Sequence, residues 1–440
     1  MSAAAFPSAA AAATPSAGAA PQTLAQKLVA RAAGVGHVTP GEIVTCRVDL
    51  AMMHDSGGPR RVKPMLDRLG ATVWDPDKVV VVTDHYVPAY DDDSRAIVQI
   101  ARDWVKSAGV ARFHDGEGIC HVVVPQKGYL RPGMFAVGGD SHSPTGGAFG
   151  AYMFGVGATE MLGVLVTGEI WLKVPHTLRM AWNGRLAPGV SAKDMMLFLC
   201  TRFGMDGGQY QAVEYAGPAV QALSMQERMT LSNMTAELGA QAGLVAPDEV
   251  TRDWLARAGA GDVDLAHWHT DEGAPLLADH VFDAAALAPQ VAEPHSPAHG
   301  RDAADLAGVA INLAYVGACT GAKLDDLRMA AQVLQGRKVA AGVRLLVAPA
   351  SLQDQQRAEA EGVLGTLVEA GAELLPTSCG ACAGYGAHTF GPDVVAISTT
   401  ARNFQGRMGS PQAQIYLGSP WTVAASAVAG RVADPREMLQ

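Results

Sequence analysis

Cysteine is scarce in this chain. Six in 440 residues are too few for a disulfide framework and point to a reducing cytosol, so a cytoplasmic protein is expected. Charge is thin as well. Only 17% of residues are charged, and 33 Lys+Arg against 43 Asp+Glu leave a formal net charge of −10. No basic block is present to grip a nucleic-acid backbone, so the chain is a poor candidate for nucleic-acid binding and no such partner is expected. The same acidic balance opposes long-range steering of an anionic ligand, which would need a local cationic pocket. Long apolar runs are missing: the best imitation of a membrane span, Gly146 to Gly168, carries Glu160 and several glycines. No membrane crossing is expected. A secretory leader is missing too. Met1 to Gln22 is an Ala/Pro/Ser tract without a basic or Leu-rich region, and it reads as a disordered tail. What the chain has in quantity is apolar residues, at 49%, and glycine, at 49 residues. That composition is globular, and at roughly 150 residues per domain the length predicts about three domains.

Texture divides the chain into 1–22, 23–174, 175–300 and 301–440. In the first ordered stretch, strand-like runs (Glu42–Val48, Val79–Thr83, Phe135–Gly138) alternate with helical periodicity. Asp92–Ala108 reads as a helix with Ile97, Ile100, Ala101, Trp104 and Val105 on its apolar face. In the second, Ser191 opens a helix, and Ser224-Met-Gln-Glu227 reads as a capping box ahead of a helix over Arg228–Gly243. Pro289–Arg301, with three prolines, reads as a linker. After it, Val309–Val316, Lys323–Leu334, Val343–Pro349, Leu352–Ala370 and Glu373–Leu375 alternate strand and helix. That alternation predicts an α/β fold with a parallel sheet covered on both faces.

Ligands of such sheets sit outside the carboxyl ends of the strands. Cys319 lies just beyond Val309–Val316, and Cys379 just beyond Glu373–Leu375. Two parallel strands of one sheet would bring both thiols to the same edge. With Cys382 they form a C-x₅₉-C-x₂-C set of soft ligands. Three readings stay open on the residues alone: a metal or cluster, with His388 the nearest fourth ligand if the metal is zinc; a thioredoxin-like redox pair at Cys379 and Cys382; or a glycine-rich turn that happens to hold two thiols. Three thiolates without a fourth would leave one iron of a cubane cluster open, a Lewis acid for substrate. Cys46, Cys120 and Cys200 sit in apolar runs and read as buried structural thiols.

Open-iron chemistry needs proton shuttles and cations. Asp84-His85 follows Val79–Thr83, Asp140-Ser141-His142 follows Phe135–Gly138, and His121 sits in Gly118-Ile-Cys-His-Val-Val-Val124. A carboxylate beside an imidazole raises the histidine pKa and keeps it available as a proton donor. Arg402 and Arg407 follow the C-x₂-C pair by about twenty residues, and guanidinium groups hold carboxylates bidentately.

Several stretches together carry a resemblance to a known family. They are Val82-Thr-Asp-His-Tyr-Val-Pro88, Gly139-Asp-Ser-His-Ser-Pro-Thr-Gly-Gly147, Asp206-Gly-Gly208, Leu223-Ser-Met-Gln-Glu-Arg-Met-Thr-Leu-Ser-Asn-Met-Thr-Ala-Glu237, Gly317-Ala-Cys-Thr320, Ser378-Cys-Gly-Ala-Cys382 and Arg402-Asn-Phe-Gln-Gly-Arg407. From about Leu24 to Met438 the chain resembles the aconitase superfamily, in particular stand-alone large subunits of the 3-isopropylmalate dehydratase type. The resemblance implies three α/β/α domains with mainly parallel sheets around a central cleft. It implies one 4Fe–4S cluster on Cys319, Cys379 and Cys382 with one open iron. It also implies the pairings Asp84 with His85, Asp140 with His121 and Glu237 with His142. His54, Asp55, Ser141, Asn233, Arg402 and Arg407 would line or bind substrate. The implied reaction is a reversible dehydration of a small hydroxy-dicarboxylate, a hydro-lyase activity. A separate small subunit would supply the base and a second carboxylate-binding arginine, because no fourth, mobile domain precedes Gln440.

Two departures stand out. Family members usually carry Cys-Thr-Asn-Gly-Arg where this chain has Cys319-Thr-Gly-Ala-Lys323, and Asn-Arg-Asn-Phe where it has Ala401-Arg-Asn-Phe404. Both were expected to strip polar groups from the edge of the site and to disfavour citrate. 2-Isopropylmalate leads as substrate, with maleate, dimethylmaleate and homoaconitate as alternatives. A cluster-sensing RNA-binding regulator is a distant rival.

Overall fold

The computed structural model describes residues 20–386 and 388–439. Most of the expected tail therefore lies outside the described residues. Its last residue does not behave as tail: Gln22 is buried, its backbone N–H donates to Asp271 at 2.9 Å, and its side chain donates to the Gly36 carbonyl. Thr23 then caps the helix Leu24–Ala33 in a reciprocal box with Gln26. Packing starts before the apolar periodicity does, which is why composition placed the boundary too late.

Among the described residues, three larger sheets and one two-stranded ribbon organise the chain. The first runs Arg112–Asp115, Val79–Thr83, Leu50–His54, Phe135–Gly138, Tyr152–Gly155, all parallel. Its central strands are buried on both faces, so Val79–Val82 reads as an unbroken apolar run. Ala51, Met53, Val79 and Val81 pack one way, under the helices Leu24–Ala33, Asp92–Ala108 and Ala158–Thr167. Leu50, Met52, Val80 and Val82 point the other way, into a core shared with Val316, Leu327 and Val347. The second sheet is Ala242–Val245, Ala212–Ala216, Thr177–Asn183, Ala278–Asp283, again parallel. The third has seven strands. Gln414–Gly418, Val395–Ser398, Leu313–Val316, Arg344–Val347 and Ala372–Leu374 are parallel, and Gln290–Ala292 and Gly300–Asp302 add an antiparallel edge.

Several expected elements are redrawn. The run Glu42–Val48 stays out of the first sheet: Ile43–Arg47 pairs antiparallel with Glu169–Lys173 in a small ribbon, and the next strand, Leu50–His54, enters the first sheet instead. The expected linker Pro289–Arg301 holds the antiparallel edge strands. On the helix Asp92–Ala108 the buried residues are Val98, Ala101, Trp104 and Val105, while Ile100 is exposed. Leu352–Ala370 breaks at Gly362 into Leu352–Ala360 and Val363–Ala370. The expected helix Arg228–Gly243 is Met225–Met234, then a 3-10 turn to Leu238, then strand Ala242–Val245. Ser224 caps it, but the Glu227 carboxylate reaches the Ala192 N–H instead of closing a box.

The stretch Gly146–Gly168 crosses no membrane-like span. Gly147 packs so tightly on the second sheet that a Cβ there would stand 1.8 Å from the Gly243 carbonyl oxygen. Glycine here permits two backbones to touch. No described helix is long and apolar enough to cross a membrane.

One ion pair supports the helix Met225–Met234. Arg228 is fully buried and donates twice to Asp248, at 2.7 Å each, and once to the Gln221 carbonyl. Asp248 also caps the helix Glu249–Arg257. Asp248→Ala therefore strands a buried guanidinium and removes a cap, with an expected cost of about 3 kcal/mol. The denaturant midpoint of the variant measures it.

Candidate active site

The first and third sheets present the carboxyl ends of their strands to one cleft. His54 closes the strand Leu50–His54, Asp84 and His85 follow Val79–Thr83, and Asp140 to His142 follow Phe135–Gly138. From the third sheet, Cys319 follows Leu313–Val316, Cys379 follows Ala372–Leu374, and Arg402 follows Val395–Ser398. The second sheet adds Asn233 and Glu237 from the helix and 3-10 turn before Ala242–Val245. Loops at strand ends are where backbone polarity is free for chemistry.

Acid–imidazole contacts line the side of the first sheet. His85 Nδ1 lies 2.6 Å from Asp84 Oδ1, His121 Nε2 lies 2.7 Å from Asp140 Oδ1, and His142 Nε2 lies 3.2 Å from Glu237 Oε1. Asp84 also accepts the Cys120 N–H at 2.7 Å. Burial alone would depress His85, but the Asp84 carboxylate more than offsets it, and the imidazole rises to about 10. Burial would raise Asp84, and the His85 charge with its hydrogen bond pulls it to about 2 instead. His54 stacks on His85 with ring centroids 4.3 Å apart. Burial and the charge on His85 hold it below its ordinary value. Asp55 is fully buried and accepts the backbone N–H groups of His85 and Tyr86, at 3.1 and 2.8 Å. It fixes the loop that carries His85.

The three thiols lie near one another, close enough to interact electrostatically. The Cys379–Cys382 turn is a single 3-10 helix, Gly380–Ala383, with the Cys379 N–H tied to the Asp84 carbonyl at 2.8 Å. The hydrogen bond from Cys379 lowers Cys382 to about 6 against burial, helped by Arg407, His142 and His85. Asn233 Nδ2 donates to Cys319 Sγ at 3.2 Å and to Thr145 Oγ1 at 2.8 Å. His388 does not join them. It lines a small cavity with His85, Tyr86 and Tyr385. Three thiolates leave a structural zinc one ligand short of its tetrahedron, whereas a cubane cluster accepts three with one iron open.

Arg402 Nε reaches Glu237 Oε1 at 2.6 Å, and its Nη1 reaches Ser141 Oγ at 3.0 Å. Burial would raise Glu237, and Arg402 with His142 lowers it, so the carboxylate stays charged. Three buried polar atoms of this cleft have no partner among the described residues: Asn233 Oδ1, Glu237 Oε2 and Arg407 Nε. Buried groups left open in this way are prepared for a ligand.

The two departures do not open the site. A Cβ on Gly321 would stand 2.1 Å from Thr399 Cβ, so the threonine already fills that space. Ala401 is buried in the core of the second sheet's layer. Lys323 is fully buried and donates to the Cys319 carbonyl, Thr230 and Asp326. The expected unpaired edge facing a third carboxylate is absent. Sequence reading also missed Lys193, Thr145 and Tyr385, none of which carries a signal of its own.

Comparison with known proteins places the chain in a family. Residues 26–304 and 299–430 match the aconitase family (aconitate hydratase). The chain is 42% identical over 414 residues, 94% of its length and 98% of the other, to "Probable 3-isopropylmalate dehydratase large subunit" of Methanothermobacter thermautotrophicus. It is 41% identical, over 95% of its length and 100% of the other, to "3-isopropylmalate dehydratase large subunit 1" of Methanopyrus kandleri. It is 39% identical, over 94% and 97%, to "Probable methanogen homoaconitase large subunit" of Methanothermobacter thermautotrophicus. With its acid–imidazole contacts and thiol triad at facing strand ends, the chain belongs to the aconitase family.

Proposed function

We propose that this chain is the large subunit of a 4Fe–4S hydro-lyase that interconverts 2- and 3-isopropylmalate by dehydration and rehydration. The observation that carries the reading is the set of three acid–imidazole contacts beside the cysteine loop, whose Cys379 N–H is bonded to the Asp84 carbonyl. Names of relatives aligned over nearly their full length support the substrate. Cys319, Cys379 and Cys382 would hold the cluster. When bound, a cluster with one iron lacking a protein ligand supplies a Lewis acid for the hydroxyl and adjacent carboxylate. His85, held protonated by Asp84, delivers the proton to the departing hydroxyl. Arg402 and Arg407 bind carboxylate and stabilise the charge that develops there. Asp140 with His121 and Glu237 with His142 fix the remaining imidazoles. Asn233 orients Cys319, while His54, Asp55 and Ser141 shape the floor. A separate small subunit supplies the base and another carboxylate-binding arginine.

The homoaconitase relative favours a second reading, a longer tricarboxylate as substrate. One experiment tests both. The cluster-loaded chain alone should turn over negligibly, and addition of its small subunit should restore activity with the highest kcat/KM on 2-isopropylmalate. A panel of homoaconitate, maleate, dimethylmaleate and citrate supplies the comparison. Full activity of the lone chain, or a clear preference for citrate, would sink the reading.

A further inference from the structure

Two lysines lie close to the cysteine loop, and only one of them makes a direct ion pair. Lys323 pairs with Asp326 at 2.6 Å. Lys193, at the start of the helix Ala192–Phe203, is 1% exposed. Its Nζ donates to the Thr400 carbonyl at 2.6 Å, the Thr399 carbonyl at 3.0 Å and Thr320 Oγ1 at 3.4 Å. All three donors are used, and all three acceptors are neutral. Thr320 follows Cys319, and Thr399 and Thr400 lead into Arg402, so one ammonium ties the thiol loop to the arginine loop. An unpaired buried cation is costly for a fold to retain. Burial pushes Lys193 down to about 8; Glu237, Cys319 and Cys382 oppose the fall, and Lys323 adds to it.

We propose that Lys193 is the built-in counter-charge of the loaded cluster, a positioning residue whose ammonium offsets the negative charge of three thiolates and a bound 4Fe–4S core. This rests on the cluster reading above. Three thiolates on such a core carry net negative charge into a buried wall, and fixed charges and dipoles around a cluster set its potential. In the empty chain the lysine is a burden, and in the loaded chain it is matched.

The test compares the parent with Lys193→Gln and Lys193→Met, all reconstituted with iron and sulfide. Three quantities are measured: the midpoint potential by EPR-monitored titration, the rate of iron release to a chelator, and the melting of the empty chains. Both variants should show a more negative potential and release iron about tenfold faster or more. Their empty chains should melt no lower than the empty parent, since a costly buried charge is gone. An unchanged potential would overturn the proposal. So would empty variants that melt lower or fail to fold, for then the lysine is a plain structural tie. A parent that takes up no cluster would instead sink the cluster reading itself.

Discussion

Cys379→Ser, reconstituted anaerobically with iron and sulfide, is expected to lack the broad visible absorption of the parent and to lose activity by about a thousandfold or more. The reason lies in the donor set. Cys319, Cys379 and Cys382 act on one another electrostatically, and removing one thiolate leaves a cluster only two protein ligands. A thousandfold is about 4 kcal/mol of barrier, within the several kcal/mol that a Lewis-acid metal contributes to a transition state gathering charge on oxygen. Cys319→Ser and Cys382→Ser should behave alike. Cys46, Cys120 and Cys200 lie buried outside the triad, so replacing them should leave the spectrum in place. An intact cluster in Cys379→Ser would remove the ligand assignment.

The second large effect concerns the proton. His85→Gln should lower kcat by about 10²–10⁴, the span that general acid catalysis supplies, with the cluster spectrum unchanged. The parent's activity should fall on the alkaline side as His85 loses its proton near pH 10. Asp84→Asn removes the charge that offsets burial, so the imidazole pKa drops and the alkaline limb moves to lower pH. The pH profile of kcat for parent and variant decides it. A limb that stays put would take the donor role away from His85.

Much of this architecture was legible because parallel strands advertise themselves. Val79–Val82 is an unbroken apolar run, and the polar residues directly after it are those that the strand delivers to the cleft. Cys319 and Cys379 could be set on one edge by the same logic, and the third sheet has both strands parallel with one strand between them. Contacts between loops were not legible from the residues. His121 meets Asp140, and His142 meets Glu237, through tertiary packing that no spacing encodes, and those pairings came from family resemblance. The direction in which Gly321 and Ala401 face was misjudged. A sequence shows that a side chain is missing, but not that Thr399 occupies the space beside Gly321. Lys193 was invisible for a similar reason. At the start of a helix a lysine resembles a solvated charge until the third sheet closes over it.

The tether at the amino end sets a timetable for synthesis. Gln22 and Leu24 donate their backbone N–H groups to Asp271 and Thr270, and Lys27 also pairs with Asp271. Those partners emerge from the ribosome some 250 residues later, which at 5–20 residues per second is about 12–50 s. During that interval the first sheet can form, but its opening helix waits without its anchor. The nascent chain therefore passes through a stage in which Leu24, Leu28 and Val29 are held only by the strands beneath them. Chaperone dependence should be greatest in that window.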